Sequence, residues 1–377
     1  MNQVKTALEK LSFSRKDNPL KYITGKAKIK SETNFKGNIE NFIGMAQIPI
    51  GLAGPILVNG SSVSNEYNIP LATTEGALVA SYSRGMKACN LSGGITSICL
   101  RDVIQRSPFF KFDTLSTVQN FVKWVDNQFY KFVEIVTKAS RYAKLLKVSP
   151  NIEGNSVILT FDYTTGDAAG QNMVTICTHQ ICQFILEKYE QKPTDWYIES
   201  NYSGDKKATA LSFSNGRGKK VTAEVTIPKD VVECVLKSSP KKIVEYWKSS
   251  TLAVVQSGAI GAQGHVANAL TALFIACGQD VACVAESSTG ITRMELTQEG
   301  NLYVAVTLPS LVVGTAGGGT GLPTQKECLE MMNCYGAGKA VKFAEICCAV
   351  ALAGEISIAA AMSADHFASA HQNLGRK

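Results

Sequence analysis

Between residues 116 and 140, Val118, Phe121, Val122, Val125, Phe129 and Phe132 fall near helical spacing, which turns one helix face toward a core. The run "FFKF" (109–112) before it predicts a short strand. Two strand-like runs follow, "YAKLLKV" and "SVILTFDY", joined through Pro150 and Gly154. A second helix is expected over roughly 167–189, and "DWYIES" closes the unit as a strand. The order is βαββαβ over 108–198, the split ferredoxin-like arrangement.

The flanks follow other patterns. Residues 41–72 mix Gly, Pro and short β-branched runs, which predict turns and strands. After residue 205 come strand-like "TALSFS" and "KKVTAEVTI", then Ala-rich helical stretches around 229–249, 253–277 and 338–370. The expected architecture is of α+β or α/β class. A larger α/β domain (41–107 and 199–377) is interrupted by the small βαββαβ domain (108–198). Residues 1–40 form an N-terminal helical segment with Val4, Leu8 and Leu11 on one face.

Composition narrows the function classes. A chain of 377 residues is long for one core, which favours the two-domain reading. The net charge of +7 is spread along the chain, which suits an anionic small molecule at least as well as nucleic acid. "SVILTFDY" lacks the glycine-flanked basic and aromatic run of an RNA-recognition motif, so a nucleic-acid partner is not expected. The most apolar stretch, "ICCAVALAGEISIAAAM" (346–362), carries Glu355 and predicts a buried helix and no membrane span. Eleven cysteines include no CxxC pair, and Cys177, His179 and Cys182 fan around one helix, so no metal site is expected. A reducing, cytoplasmic setting is the working expectation.

Four stretches can carry chemistry. In "PLATTEGALVASYSRGMKA", Thr73 or Thr74 can cap a helix and leave Glu75 in its first turn, where the helix dipole alone accounts for an acid. Ser81 and Arg84 share a face opposite Glu75; they can meet a phosphate or be solvated. In "HVANALTALFIACGQD" a helix ends near Cys277 with Gly278 as its C-cap. Asp280 then faces the negative end of the dipole, so it is either well exposed or paired with a cation. "VVGTAGGGTGLPTQKE" and "YTTGDAAGQNM" are glycine-rich turns before helices, able to bring backbone amides to phosphates, but neither is a Walker or Rossmann fingerprint. His366 and His371, five residues apart, do not form a chelating pair on one helix.

Together, in order, "ATTEG", "GDKK" (204–207), "GQD", "GTAGGGTG" and a terminal "SAH" resemble 3-hydroxy-3-methylglutaryl-coenzyme A (HMG-CoA) reductases of class I type without a membrane region. The likeness runs from "ENFIGMAQIPIGLAGP" (40–55) to the C-terminus. It implies a four-electron reduction in the mevalonate pathway of isoprenoid biosynthesis. Two hydrides from NADPH convert the HMG-CoA thioester to mevalonate and free coenzyme A.

The resemblance also implies roles. Lys206 would stabilise the oxyanion. Asp280 would sit between Lys206 and Glu75, with Glu75 sharing a proton at the carbonyl oxygen. His371 would protonate the departing thiolate. Arg106 and Lys207 would clamp the substrate carboxylate, with Asp205 and Asn268 completing the polar shell. Ser81, Arg84, Lys237 and Lys248 match coenzyme A positions. Ser140 and Arg141 match positions that hold a 2′-phosphate, which favours NADPH over NADH. Asp167, Gly170, Asn172, Gly317, Gly318 and Gly319 fall in the matching cofactor loops. "ENFIG" resembles a dimerisation segment, so a homodimer or a tetramer is expected. Three positions depart from the pattern: Glu199 stands where the family has a serine, Ala370 replaces a serine beside His371, and Glu286 replaces a small residue. The rival within the resemblance is a coenzyme-A-binding homologue without turnover.

Overall fold

The computed structural model describes residues 20–29, 35, 37–61 and 64–364. The expected helix around Val4, Leu8 and Leu11 lies outside the described residues, as do His366, Ala370 and His371.

The fold is a mixed α/β structure on a large, mainly antiparallel sheet. Strands β1 (Ile50–Gly60), β2 (Ser64–Ala72) and β3 (Ile95–Arg106) come first, with helix α1 (Leu78–Leu91) between β2 and β3. β1 pairs antiparallel with β2 and parallel with the start of β3. β8 (Gly218–Ile227), β9 (Ile291–Leu296) and β10 (Leu302–Leu311) continue the sheet in the order β3-β8-β10-β9, all antiparallel. The far end of β3, Ile104–Arg106, pairs instead with β6 (Ser156–Thr164). One strand therefore joins two groups of strands.

The second group contains β4 (Phe109–Lys111), α2 (Leu115–Asn127), α3 (Phe129–Ala139), β5 (Lys144–Glu153), β6, α4 (Gln171–Lys188) and β7 (Asp195–Tyr197). Its strands lie in the order β7-β4-β6-β5, each pair antiparallel. Strand β6 alternates strictly, burying Val157, Leu159, Phe161 and Tyr163 on one face. That face meets Phe132 of α3 through Phe161 and Thr178 of α4 through the Tyr163 hydroxyl. The continuous helix expected over 116–140 is broken at Gln128, whose backbone (φ −95°, ψ 1°) leaves the helical well.

The large sheet is covered by α9 (Ala340–Ser363), long and apolar enough to cross a membrane, yet with 83% of its most apolar window buried in the protein. It is a core helix. It crosses α1 at backbone distance: a Cβ added at Gly85 would overlap the carbonyl oxygen of Ala353, and one at Gly354 would overlap the Tyr82 ring. Gly85→Ala is therefore expected to cost about 1–3 kcal/mol or more through overpacking, although alanine favours helix. A thermal melt matching that of the parent would contradict the close crossing.

Three further expectations are corrected. "TALSFS" is a helix, α5 (Ala210–Asn215), because Thr209 and Ser212 form a reciprocal capping box that overrides the alternation. The stretch 229–249 is not one helix. Lys237 takes a left-handed backbone (φ 58°), and Ser239 with Pro240 starts a new helix, α6 (Pro240–Gln256). Helix α7 is shorter than expected, Val266–Ala276, and α8 spans Pro323–Met331.

Candidate active site

The loop from β7 to α5 carries "GDKK" and ends in the Thr209 cap. Lys206 there takes φ 56°, a left-handed conformation that costs a side-chain-bearing residue energy unless its surroundings hold it. Two groups do so. Its backbone N–H donates to Glu286 Oε1 at 3.2 Å, and its ammonium lies 3.0 Å from Asp280 Oδ2. The hydrogen bond it donates to Asp280 raises the Lys206 pKa and keeps the side chain cationic, against the opposing effect of burial. Asp280 thus meets both alternatives left by its place after α7. It has a cation, its side chain remains 40% exposed, and it also accepts from the Ala282 amide.

Behind Lys206 runs a buried chain of alternating charges. Arg217, fully buried, donates to Asp205 Oδ1 at 2.7 Å and lies 3.5 Å from Glu286 Oε1. Arg106 lies 3.6 Å from the other Asp205 oxygen and donates to Glu199 Oε2 at 2.9 Å. Burial pushes the Glu286 pKa up in spite of Arg217. Both departures from the family pattern that lie in the described residues, Glu199 and Glu286, are therefore partners of buried arginines. Lys207 turns its ammonium onto the Asp205 carbonyl at 3.0 Å.

Glu75 does not sit in a first helical turn. Ala77 has φ 66°, so α1 starts only at Leu78, and Thr73 Oγ1 accepts from the Glu75 amide without capping the helix. That turn brings Glu75 into one cavity of about 400 Å³ with Ser81, Arg84, His265 and Asn268, which corrects the expectation that Ser81 and Arg84 face away from it. Asn268 Nδ2 donates to both Glu75 oxygens, at 3.4 and 3.2 Å. Ser81 and Arg84 converge on Ser357 of α9, Arg84 also reaching the Ser357 carbonyl at 2.7 Å. Glu355 holds two residues of the cavity wall, Gly264 and His265, from behind. Its carboxylate accepts from the Gly264 and His265 amides at 2.6 and 2.7 Å and from Thr292 Oγ1 at 2.7 Å, while His265 stacks on Tyr82.

Asn268 lies in the first turn of α7 and Asp280 just past its end. The helix thus separates the Glu75–Asn268 pair from the Lys206–Asp280 pair by roughly 12 Å along its axis. Thr271 and Ile275 line a hollow beside Glu75, and Ile275 also borders the separate cleft that holds Asp280. No hydrogen bond or ion pair joins Glu75 to Asp280 or Lys206 among the described residues.

The cleft beside Asp280 measures about 680 Å³, and its walls include Gly170, Asn172 and Gly317–Gly319. Gly317 and Gly318 have positive φ, and a Cβ on either would meet no atom within 4 Å, so bare backbone faces open space. The 18-residue helix α4 starts beside it at Gln171, presenting free amides to an anion. These residues fit a phosphate-bearing dinucleotide. Asp167 acts differently: its carboxylate accepts from the amides of Gly338, Lys339 and Ala340 and so caps α9. Burial acts to raise its pKa, and those three amides outweigh it and hold the pKa low.

Other candidates are dispersed. Ser140 Oγ accepts from the Tyr142 and Ala143 amides at the end of α3, and Arg141 beside it is exposed. Lys237 is exposed, and Lys248 pairs with Glu245 at 3.0 Å. Sequence reading singled out neither Arg217 nor His265 nor Glu355 as site residues. Only the polar Glu355 in an apolar run gave any signal.

The Hydroxymethylglutaryl-coenzyme A reductase family model matches residues 2–376. A 3-hydroxy-3-methylglutaryl-coenzyme A reductase of Pyrococcus abyssi is 44% identical over 349 residues, 90% of this chain and 85% of the relative. One of Methanocaldococcus jannaschii is 42% identical over 353 residues, covering 92% and 87%. Among solved structures, a class II reductase of Streptococcus pneumoniae bound to NADPH superposes with a TM-score of 0.75 over 96% of this chain and 95% of that one. Its sequence identity is 19%, so this likeness speaks to the fold.

Proposed function

The chain belongs to the hydroxymethylglutaryl-coenzyme A reductase family, and we propose that it reduces the HMG-CoA thioester to mevalonate and free coenzyme A. Two NADPH molecules, bound in turn, would each supply one hydride. The observation that carries the reading is the Lys206–Asp280 pair at the edge of the glycine-lined cleft. Reduction pushes negative charge onto the thioester oxygen, and a preorganised ammonium is the group that meets it. Asp280 keeps that ammonium protonated and aimed. Glu75, oriented by Asn268, exchanges a proton with the same oxygen, and His371 protonates the thiolate as it leaves.

The supporting roles follow the resemblance. Arg106 is already engaged by Glu199 and Asp205, so Lys207 makes the principal contact with the free substrate carboxylate. Arg84 and Ser81 shape the cavity that receives coenzyme A; Lys237 and Lys248 meet its phosphates from the surface. Gly170, Asn172 and Gly317–Gly319 cradle the dinucleotide, Asp167 fixes that loop, and Ser140 and Arg141 hold the 2′-phosphate.

Residues 108–198 are read as a ferredoxin-like NADPH-binding domain, supported by the strand order β7-β4-β6-β5. Segments 41–107 and 199–377 then form the substrate domain. The motif order favours class I. A homodimer or higher homo-oligomer is proposed because Ile39, Ile43, Met45 and Ile48 are exposed in one short stretch and because Glu75 and Lys206 do not meet within one chain. A cytoplasmic enzyme is proposed, in keeping with the burial of α9 in the core.

The test is loss of NADPH absorbance when purified protein meets HMG-CoA. No consumption with either nicotinamide cofactor across pH would favour the silent coenzyme-A-binding homologue. Arg141→Ala is expected to raise KM for NADPH at least tenfold while moving KM for NADH little, since a guanidinium pairs strongly with a phosphate. Equal changes for the two cofactors would remove the 2′-phosphate role.

A further inference from the structure

The second group of strands shows an unusual face. Helices α3 and α4 cover one side of β6, and Thr160 and Asp162 point to the other. On β5, Lys147, Ser149 and Asn151 share that side by the two-residue period of a strand. Leu211 and Tyr202 also border this face. With β3, β8, the loop before α5 and α5 itself, it walls a crevice of about 560 Å³.

The crevice gathers three cations and one carboxylate. Arg101 lies 3.5 Å from Asp162. Lys220 stands directly opposite Arg101 across the β3–β8 ladder, and Lys147 stands opposite Asp162 across β5–β6. Like charges facing each other on adjacent strands oppose pairing. Neither Lys147 nor Lys220 has an ion-pair partner among the described residues. Gln105, which is buried, also lines the crevice. Its amide nitrogen reaches the Gly216 carbonyl at 3.3 Å, while its side-chain oxygen has no partner.

We propose that this crevice is a binding site for a phosphorylated small molecule, separate from the dinucleotide cleft and from the Glu75 cavity. Two unmatched positive charges call for a ligand of charge about −2 or more. Phosphoryl oxygens would also take the surrounding hydroxyl and amide donors, Ser149, Asn151 and Asn215, as charge-assisted hydrogen bonds. The ligand would bridge β3 and β8 of the large sheet to β5 and β6 of the second group. It would lie behind the Lys206 loop, since Ser203 in the crevice wall accepts from the Asp205 amide. The site does not depend on the reductase assignment, because binding is read without turnover.

Inorganic pyrophosphate is the probe, titrated calorimetrically into the full chain at fixed ionic strength, alone and with saturating NADPH and coenzyme A. Binding is expected to persist in their presence. The Lys147→Gln/Lys220→Gln variant should weaken it at least tenfold, and pyrophosphate should raise the melting temperature of the parent but not of the variant. If the double variant melts low on its own, Lys147→Gln alone, at an exposed position, must still weaken binding. The proposal fails if pyrophosphate does not bind the parent, if NADPH or coenzyme A abolishes its binding, or if the folded variants bind it unchanged.

Discussion

Lys206→Ala is expected to lower kcat by at least about 10²–10³, the usual cost of removing a preorganised donor at a developing oxyanion. The fold is expected to persist. The Lys206 ammonium is 45% exposed and its partner 40% exposed, so the pair contributes only about 0–1 kcal/mol to stability. The left-handed backbone at residue 206 strains alanine no less than lysine, so the substitution brings no relief that would reshape the loop. The amide bond to Glu286 also survives, because it uses the main chain. Circular dichroism and thermal melting should therefore match the parent, and KM for NADPH should change little. Activity within tenfold of the parent would show that another group meets the oxyanion.

What the sequence disclosed about this site follows a physical line. Asp280 could be singled out because a carboxylate after a helix C-terminus is electrostatically out of place, and the structure supplies its cation from a loop far back in the chain. Glycine-rich turns could be recognised as open backbone, and Gly317 and Gly318 do face empty space. The elements of residues 109–197 were legible because their apolar periods are strong, as in the strict alternation of β6.

Local backbone choices were harder to foresee. Nothing in "ATTEG" announces the left-handed Ala77 that carries Glu75 out of the helix and into the Ser81 cavity. The side-chain exchange between Thr209 and Ser212 turned a strand-like run into α5. Long-range pairing was invisible as well. Arg217 reads as an ordinary surface cation between two glycines, yet it is fully buried between Asp205 and Glu286. Glu199 and Glu286 stood out only as departures, and their arginine partners give the physical reason each is tolerated.

Glu355→Ala should produce the largest loss of stability. Its carboxylate is 2% exposed in the middle of α9 and holds four donors. They are the Gly264 amide, the His265 amide and ring Nδ1, and Thr292 Oγ1. Alanine is the better helix former, so the helix itself loses nothing. The cost comes from donors left buried without an acceptor, about 3–5 kcal/mol when one member of such a network is removed. Burial acts to raise the Glu355 pKa, but the His265 side chain and the two amides outweigh it and depress the pKa below the usual value. A depressed folded-state pKa contributes stability that is fully present above the unfolded value, about 4.3. That contribution is lost as pH falls through the folded value. The parent should therefore lose stability on acidification through this window, and Glu355→Gln, which cannot ionise, should show a shallower acid slope from a lower starting point. Because the Gly264–His265 turn leads directly into α7, both variants should also loosen Asn268 and with it Glu75, raising KM for HMG-CoA. An alanine variant that melts with the parent, or a glutamine variant with an unchanged acid slope, would show that the carboxylate of Glu355 does not hold this turn in place.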